Sequence, residues 1–179
     1  ALGDINWNYS KLSAIGDLVR MPFREHTFDA IICTQVLEHI YEPGRFFSES
    51  FRILKPGGRL FLSAPQGWCV HQAPHDYFRF TSYGLQYLFH KAGFKITCIK
   101  PSCGYFGYMA NRLTFLPQVV FRPVENPVSR VLLSPLELIA YLVFVLILPP
   151  VFHSMDFLDK RRDFTLNYLA QAEKPAQTA

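Results

Sequence analysis

The sequence predicts an α/β fold, a doubly wound and mostly parallel sheet with helices on both faces, and three observations carry that expectation. The run "FDAIICT" at 28–34 is continuously apolar and rich in Ile, as a parallel strand covered on both faces should be. Apolar spacing then alternates twice between helical and extended periods. A closing strand is available in "DFTLNYLAQA" at 163–172.

Taken in order, "FDAIICT" reads as a central strand. Beyond Pro43, residues Phe46, Phe47, Phe51 and Leu54 recur at helical spacing, and "KPGG" at 55–58 ends that helix and turns the chain into the strand "RLFLSAP". Thr81 is a candidate cap for a helix carrying Leu85, Leu88, Phe89 and Ala92 on one face. Gly93 ends it before the strand "FKITCIK". Neither an internal repeat nor a low-complexity tract interrupts the series.

At 179 residues, half of them hydrophobic, the chain can bury a core and one domain is the default. The net charge of +4 is scattered, with only Lys160, Arg161 and Arg162 adjacent, so no nucleic-acid footprint is expected. Cys33, Cys69, Cys98 and Cys103 include no CxxC pair, and the buried positions read as reduced thiols in a reducing cytoplasm. No secretory signal precedes Asp4, and the opening Ala1 reads as a truncated start. The oligomeric state is not legible.

In a doubly wound sheet, ligands bind beyond the carboxyl ends of the strands, where the loops diverge. Thr34, Gln35, Glu38 and His39 lie just past such an end. A polar cluster there can face a ligand. Alternatively, Glu38 and His39 cap the next helix and bond to each other, and from position alone both readings stand.

The segment "GDLVRMPFREHTFDAIICTQVLEHIYEPGRFFSESFRILKPGGRLFLSAP" resembles the middle of class I S-adenosylmethionine-dependent methyltransferases of the type-11 group, with Met21 where Leu is usual. "PHDYFRFTSYGLQYLFHKAGF" at 74–94 is similar to the segment after the fifth strand in a bacterial subgroup. The resemblance implies a Rossmann-like sheet with an antiparallel last strand and S-adenosylmethionine as cofactor. It also implies that Asp17 accepts a hydrogen bond from the adenine amino group, that Leu18 adds a backbone contact, and that Thr34 and Gln35 line the methionine portion. Asp4 matches the acid that binds the ribose hydroxyls, a role suited to a carboxylate accepting two bonds from a diol. The family's first motif, a glycine-rich loop upstream of that acid, is missing, and the domain at 1–179 reads as incomplete at its amino terminus.

Methyl transfer asks mainly for alignment, exclusion of water and a proton acceptor. The family pattern puts His39, His71, His75, Asp76, Tyr77 and Arg79 on the acceptor side. His39 and His75 are the candidate bases, and Arg79 could grip an acceptor anion. The competing reading has Asp76 and Arg79 pairing to pin their loop. His71 and His75 with Asp76 have no third firm ligand at defined spacing, so no metal is expected.

Residues 105–157 read as a hydrophobic helical insertion before the last strand. Its uncharged core, Leu138 to Leu148, is shorter than the roughly 20 residues of a spanning helix unless it extends across Pro135 and Glu137. A buried or interfacial helix is therefore expected, with peripheral membrane contact through 131–152. The functional expectation is methyl transfer to a small-molecule, glycan or lipid-linked acceptor by a cytoplasmic, membrane-associated protein. The rival readings are a nicotinamide-dependent enzyme, against which the motif series argues, and a non-catalytic binding or scaffold protein of the same fold.

Overall fold

The structure is a computed structural model that describes the backbone of residues 14–121 and 127–176, with side chains described outside 127–132. Strand β1 (Phe28–Thr34) leads through a short 3₁₀ turn, Leu37–His39, into helix α1 (Pro43–Ile53) and strand β2 (Leu54–Pro65). Helix α2 (Ser82–Ala92) and strand β3 (Lys95–Pro101) follow. Helices α3 (Tyr105–Leu113), α4 (Leu116–Phe121), α5 (Pro127–Tyr141) and α6 (Leu148–Ser154) precede the last strand, β4 (Asn167–Glu173).

The sheet order is β1-β2-β4-β3. β1 and β2 pair in parallel, and β4 runs antiparallel to both β2 and β3, so the last strand is the reversed one, as expected. All three parallel strands therefore end on the same side, at Thr34, Pro65 and Pro101, where β4 begins opposite Pro65.

The local signals act as expected at α2. Thr81 Oγ1 accepts from the Gly84 amide at 3.0 Å, and Gly93, at φ +92°, closes the other end in the left-handed region that glycine enters without a Cβ clash. Phe46 and Phe47 of α1 and Leu85 and Phe89 of α2 are buried together, with the Phe47 and Phe89 rings edge to face at 4.7 Å. They cover the sheet face carrying Cys33, Leu60, Leu62, Ala170 and Ala172.

Among the described residues β1 lies at an edge of the sheet, and α1 and α2 pack against each other on one face. The opposite face, where Ile32 pairs with Phe61 and Thr34 with Ser63, stays open enough that Ile32 is 76% exposed. The apolar run of β1 has the composition of a strand covered on both sides, but among the described residues only one side is covered. The "KPGG" stretch also belongs to β2 itself; α1 ends at Ile53 and the strand starts at Leu54.

The described part of the insertion is mostly helical, with turns at Thr114–Phe115 and Met155, and much of it is exposed from Leu136 onward. Of the two expected placements, buried or interfacial, the buried one is corrected: apolar side chains face solvent between Leu136 and Val151, with Leu138 at 59% and Ile147 at 56%, as an interfacial helix allows. The length argument is corrected too, because α5 passes through Pro135 and continues through a π-helical stretch, Leu142–Ile147, into α6. Leu133–Leu158 forms one apolar helical run of 26 residues, long enough by length and composition to cross a bilayer.

Candidate functional site

The site is built from two loops at the carboxyl ends of β1 and β2. After Thr34 the chain turns sharply at Gln35, a non-glycine residue at φ +53°. That conformation is costly and is held from both sides: the Gln35 amide donates to the Ser63 carbonyl at 3.1 Å, and Nε2 donates to Ser63 Oγ at 3.0 Å. Thr34 and Gln35 are consequently exposed at the mouth of the sheet.

The 3₁₀ turn that follows buries Leu37 and Glu38. Capping of α1 by Glu38 or His39 is not observed; the residue at that cap is Glu42, with no side-chain cap bond, and Glu38 and His39 stand 3.9 Å apart. The Glu38 carbonyl instead accepts from the amides of Tyr77 at 2.9 Å and Phe78 at 3.3 Å. These bonds stitch the 71–80 loop onto the turn.

Within that loop Arg79 uses all five of its N–H donors. Nη1 and Nη2 form a bidentate pair with Asp76 at 2.6 and 2.7 Å, and the remaining three reach the carbonyls of Trp68, Cys69 and Phe78. The guanidinium holds the Asp76 carboxyl well below the usual carboxylate range, and Asp76 in turn raises Arg79. Arg79 is thus a positioning residue that pins the loop rather than a free grip on an anion. Of the expected catalytic groups, His75 is exposed, its Nδ1 2.9 Å from the Tyr77 hydroxyl. His39 donates from Nδ1 to the His75 carbonyl at 2.6 Å, which directs its other nitrogen inward.

Asp17 sits in an exposed turn, its Oδ1 accepting from the Val19 amide at 3.0 Å. Its Oδ2 lies 3.4 Å from the Tyr41 hydroxyl, just beyond the 3₁₀ turn, so the two sequence segments meet through a residue that the sequence did not single out. Leu18 is exposed beside it, at 36%. The segment is clamped from α1: Glu49 accepts from the Met21 amide at 2.9 Å, while Arg52 donates to Glu49 and to the carbonyls of Met21 and Phe23. Asp4 lies outside the described residues. Asp17, Leu18, Thr34 and Gln35 therefore offer an open carboxylate and exposed polar groups, a set that fits an adenosyl and amino-acid ligand in donor type. Two described clefts, one bordered by His90 and Ile96 and one by Arg45 and Lys91, lie elsewhere.

Residues 6–62 match the family model described as a methyltransferase domain. A "probable S-adenosylmethionine-dependent methyltransferase" of Mycolicibacterium smegmatis is 38% identical over 50 residues, covering 28% of this chain and 20% of that protein. A ubiquinone biosynthesis O-methyltransferase of Pseudomonas fluorescens is 30% identical over 84 residues, covering 47% of this chain and 32% of that protein. The matched stretches thus span less than a third of these relatives. Among solved structures, the [4+2]-cyclase SpnF superposes with a TM-score of 0.54 at 19% identity, over 91% of this chain and 55% of that one, which establishes likeness of fold. The matched segment, the motif series and the reversed last strand agree in their likeness to the class I S-adenosylmethionine-dependent methyltransferases of the type-11 group.

Proposed function

We propose that the protein transfers a methyl group from S-adenosylmethionine to an apolar or lipid-linked acceptor presented at a membrane surface. The observation that carries this reading is the position of the insertion. The Ser102 amide donates to the Asn167 carbonyl at 2.9 Å, so the insertion leaves and rejoins the sheet at the strand ends that also carry Thr34 and Gln35. α3 packs against the 67–71 loop there: Arg112 lies over the Trp68 ring at 4.8 Å, and Trp68 meets Phe115 edge to face at 6.1 Å. An exposed apolar run in an insertion that leaves and rejoins the sheet at one end supports a helix lying in the interface.

When bound, S-adenosylmethionine supplies an electrophilic methyl group. Asp17 and Leu18 would hold the adenine end, and Thr34 and Gln35 the amino-acid end. The pinned 71–80 loop would exclude water and aim the acceptor, with His75 as the exposed imidazole able to take a proton from it. Incubating the whole protein with methyl-labelled S-adenosylmethionine and a total cell extract tests this. Label should enter the organic-soluble fraction; label confined to water-soluble products would overturn the lipid-linked acceptor, and no transfer at all would favour a binding role.

A further inference from the structure

Glu38 is fully buried, and neither of its carboxylate oxygens has a hydrogen-bond partner. Two imidazole nitrogens face its Oε1, Nε2 of His39 at 3.9 Å and Nε2 of His71 at 4.0 Å, too far for hydrogen bonds. The His39 Nε2 is itself buried without a partner. A buried, unpaired carboxylate costs several kcal/mol, and a cation held between it and the two imidazole nitrogens would remove that cost.

The other nitrogen of each ring shows what kind. His39 Nδ1 faces the His75 carbonyl at 2.6 Å, and His71 Nδ1 faces the Cys69 carbonyl at 3.2 Å and an Asp76 oxygen at 3.3 Å. Carbonyl and carboxylate oxygens only accept, so each Nδ1 carries a proton and each ring turns its Nε2 toward Glu38. Metal-binding histidines are oriented in the same way, by an acceptor behind the ligating ring.

We infer that Glu38, His39 and His71 form a binding site for one first-row divalent transition-metal ion, Zn²⁺ by ligand type. Two imidazoles and a carboxylate suit that class, whereas Mg²⁺ and Ca²⁺ favour oxygen shells. The three ligand atoms lie within 4.8 Å of one another. Bonds of about 2.1 Å to a tetrahedral ion would set them about 3.4 Å apart, so closure asks for movements of about 1 Å by partly exposed rings. Sequence spacing hides the site because Glu38-His39 and His71 come from different loops; His75, four residues from His71, faces Tyr77 instead. The site stands on this geometry and does not depend on methyl transfer.

The test is metal analysis and Co²⁺ absorption on tag-free protein, stripped with chelator and dialysed against Zn²⁺ or Co²⁺. One ion per chain is expected, lost in His71→Ala and in Glu38→Gln and retained in His90→Ala, a substitution on exposed α2 surface. Circular dichroism of each variant confirms folding, and zinc-edge X-ray absorption of the unmodified protein should show only nitrogen and oxygen ligands, imidazoles included. Substoichiometric metal in the unmodified protein would overturn the site. Sulfur ligation, or full metal content in folded His71→Ala, would equally overturn it.

Discussion

Arg79 and Asp76 form a closed fork, two parallel N–H···O bonds of 2.6 and 2.7 Å, with the Asp76 side chain 2% exposed. A pair this enclosed acts as a unit, and removing one partner strands the other. Arg79→Lys and Asp76→Asn should each lower the melting temperature, since lysine cannot reproduce a planar fork. The double variant should cost less than the sum by roughly 0.5 to 3 kcal/mol, the range for coupled neighbours. A thermal-melt cycle checks this, and additive losses would show that Arg79 and Asp76 act separately.

The Glu49–Arg52 clamp should make stability depend on acid pH. Hydrogen bonding from Arg52, and then from the Met21 amide, lowers the Glu49 pKa from its ordinary value despite partial burial. A depressed folded-state value means that the stabilisation is complete above the unfolded value of about 4.3 and fades as pH falls through the lower folded value. Urea midpoints measured through the acid range should fall more steeply for the unmodified protein than for Glu49→Gln.

Thiol reactivity should divide by position. Burial, reinforced by the Glu38 carboxylate, pushes the Cys33 thiol up to about 12, whereas Cys69 is exposed. Under mildly alkaline native conditions a maleimide or disulfide reagent should modify Cys69 first and leave Cys33 intact until the protein unfolds. Peptide mapping after timed labelling reads this order.

In the whole protein, Asp17→Ala should weaken S-adenosylmethionine binding by roughly 1 to 3 kcal/mol, the cost of leaving a buried donor without its acceptor. Tyr41→Phe should have a smaller effect, because the 3.4 Å contact of Tyr41 with Asp17 is long. Calorimetric titration distinguishes them. Unchanged affinity in folded Asp17→Ala would remove that carboxylate from the site.

Carbonate extraction should release the protein from membranes if α5 and α6 lie in the interface. Substituting Ile139 and Leu142, which are 56% and 43% exposed, with Asp should abolish flotation with lipid vesicles. Retention in the carbonate pellet would mean that the helix spans.

Local chemistry was the part most open to sequence reading. The Thr81 cap, the Gly93 stop, the reversed last strand and the polar end of β1 all depend on residues a few positions apart, or on a motif series with fixed order. Contacts between distant segments were not open to it. Asp156 accepts the amides of Gly104 and Gly107 at 2.9 and 2.7 Å and so caps α3 from 49 residues away, and no spacing rule reaches that far. The same holds for Tyr41 beside Asp17 and for Glu38 between two histidines. The length of the helical insertion is less legible, because Pro135 and Glu137 look like breaks in the sequence while the apolar run continues across both. Proline interrupts one hydrogen bond but does not stop a helix whose other turns continue, and here α5 runs on through it.

The single backbone bond between Ser102 and Asn167 makes the helical segment a graft: a tight turn could join β3 to β4 without it. On the proposed function, such an arrangement would separate the part that handles the cofactor from the part that meets the acceptor's surroundings. One scaffold can then change clients by exchanging the cassette between those two residues, leaving the sheet that bears Thr34 and Gln35 untouched.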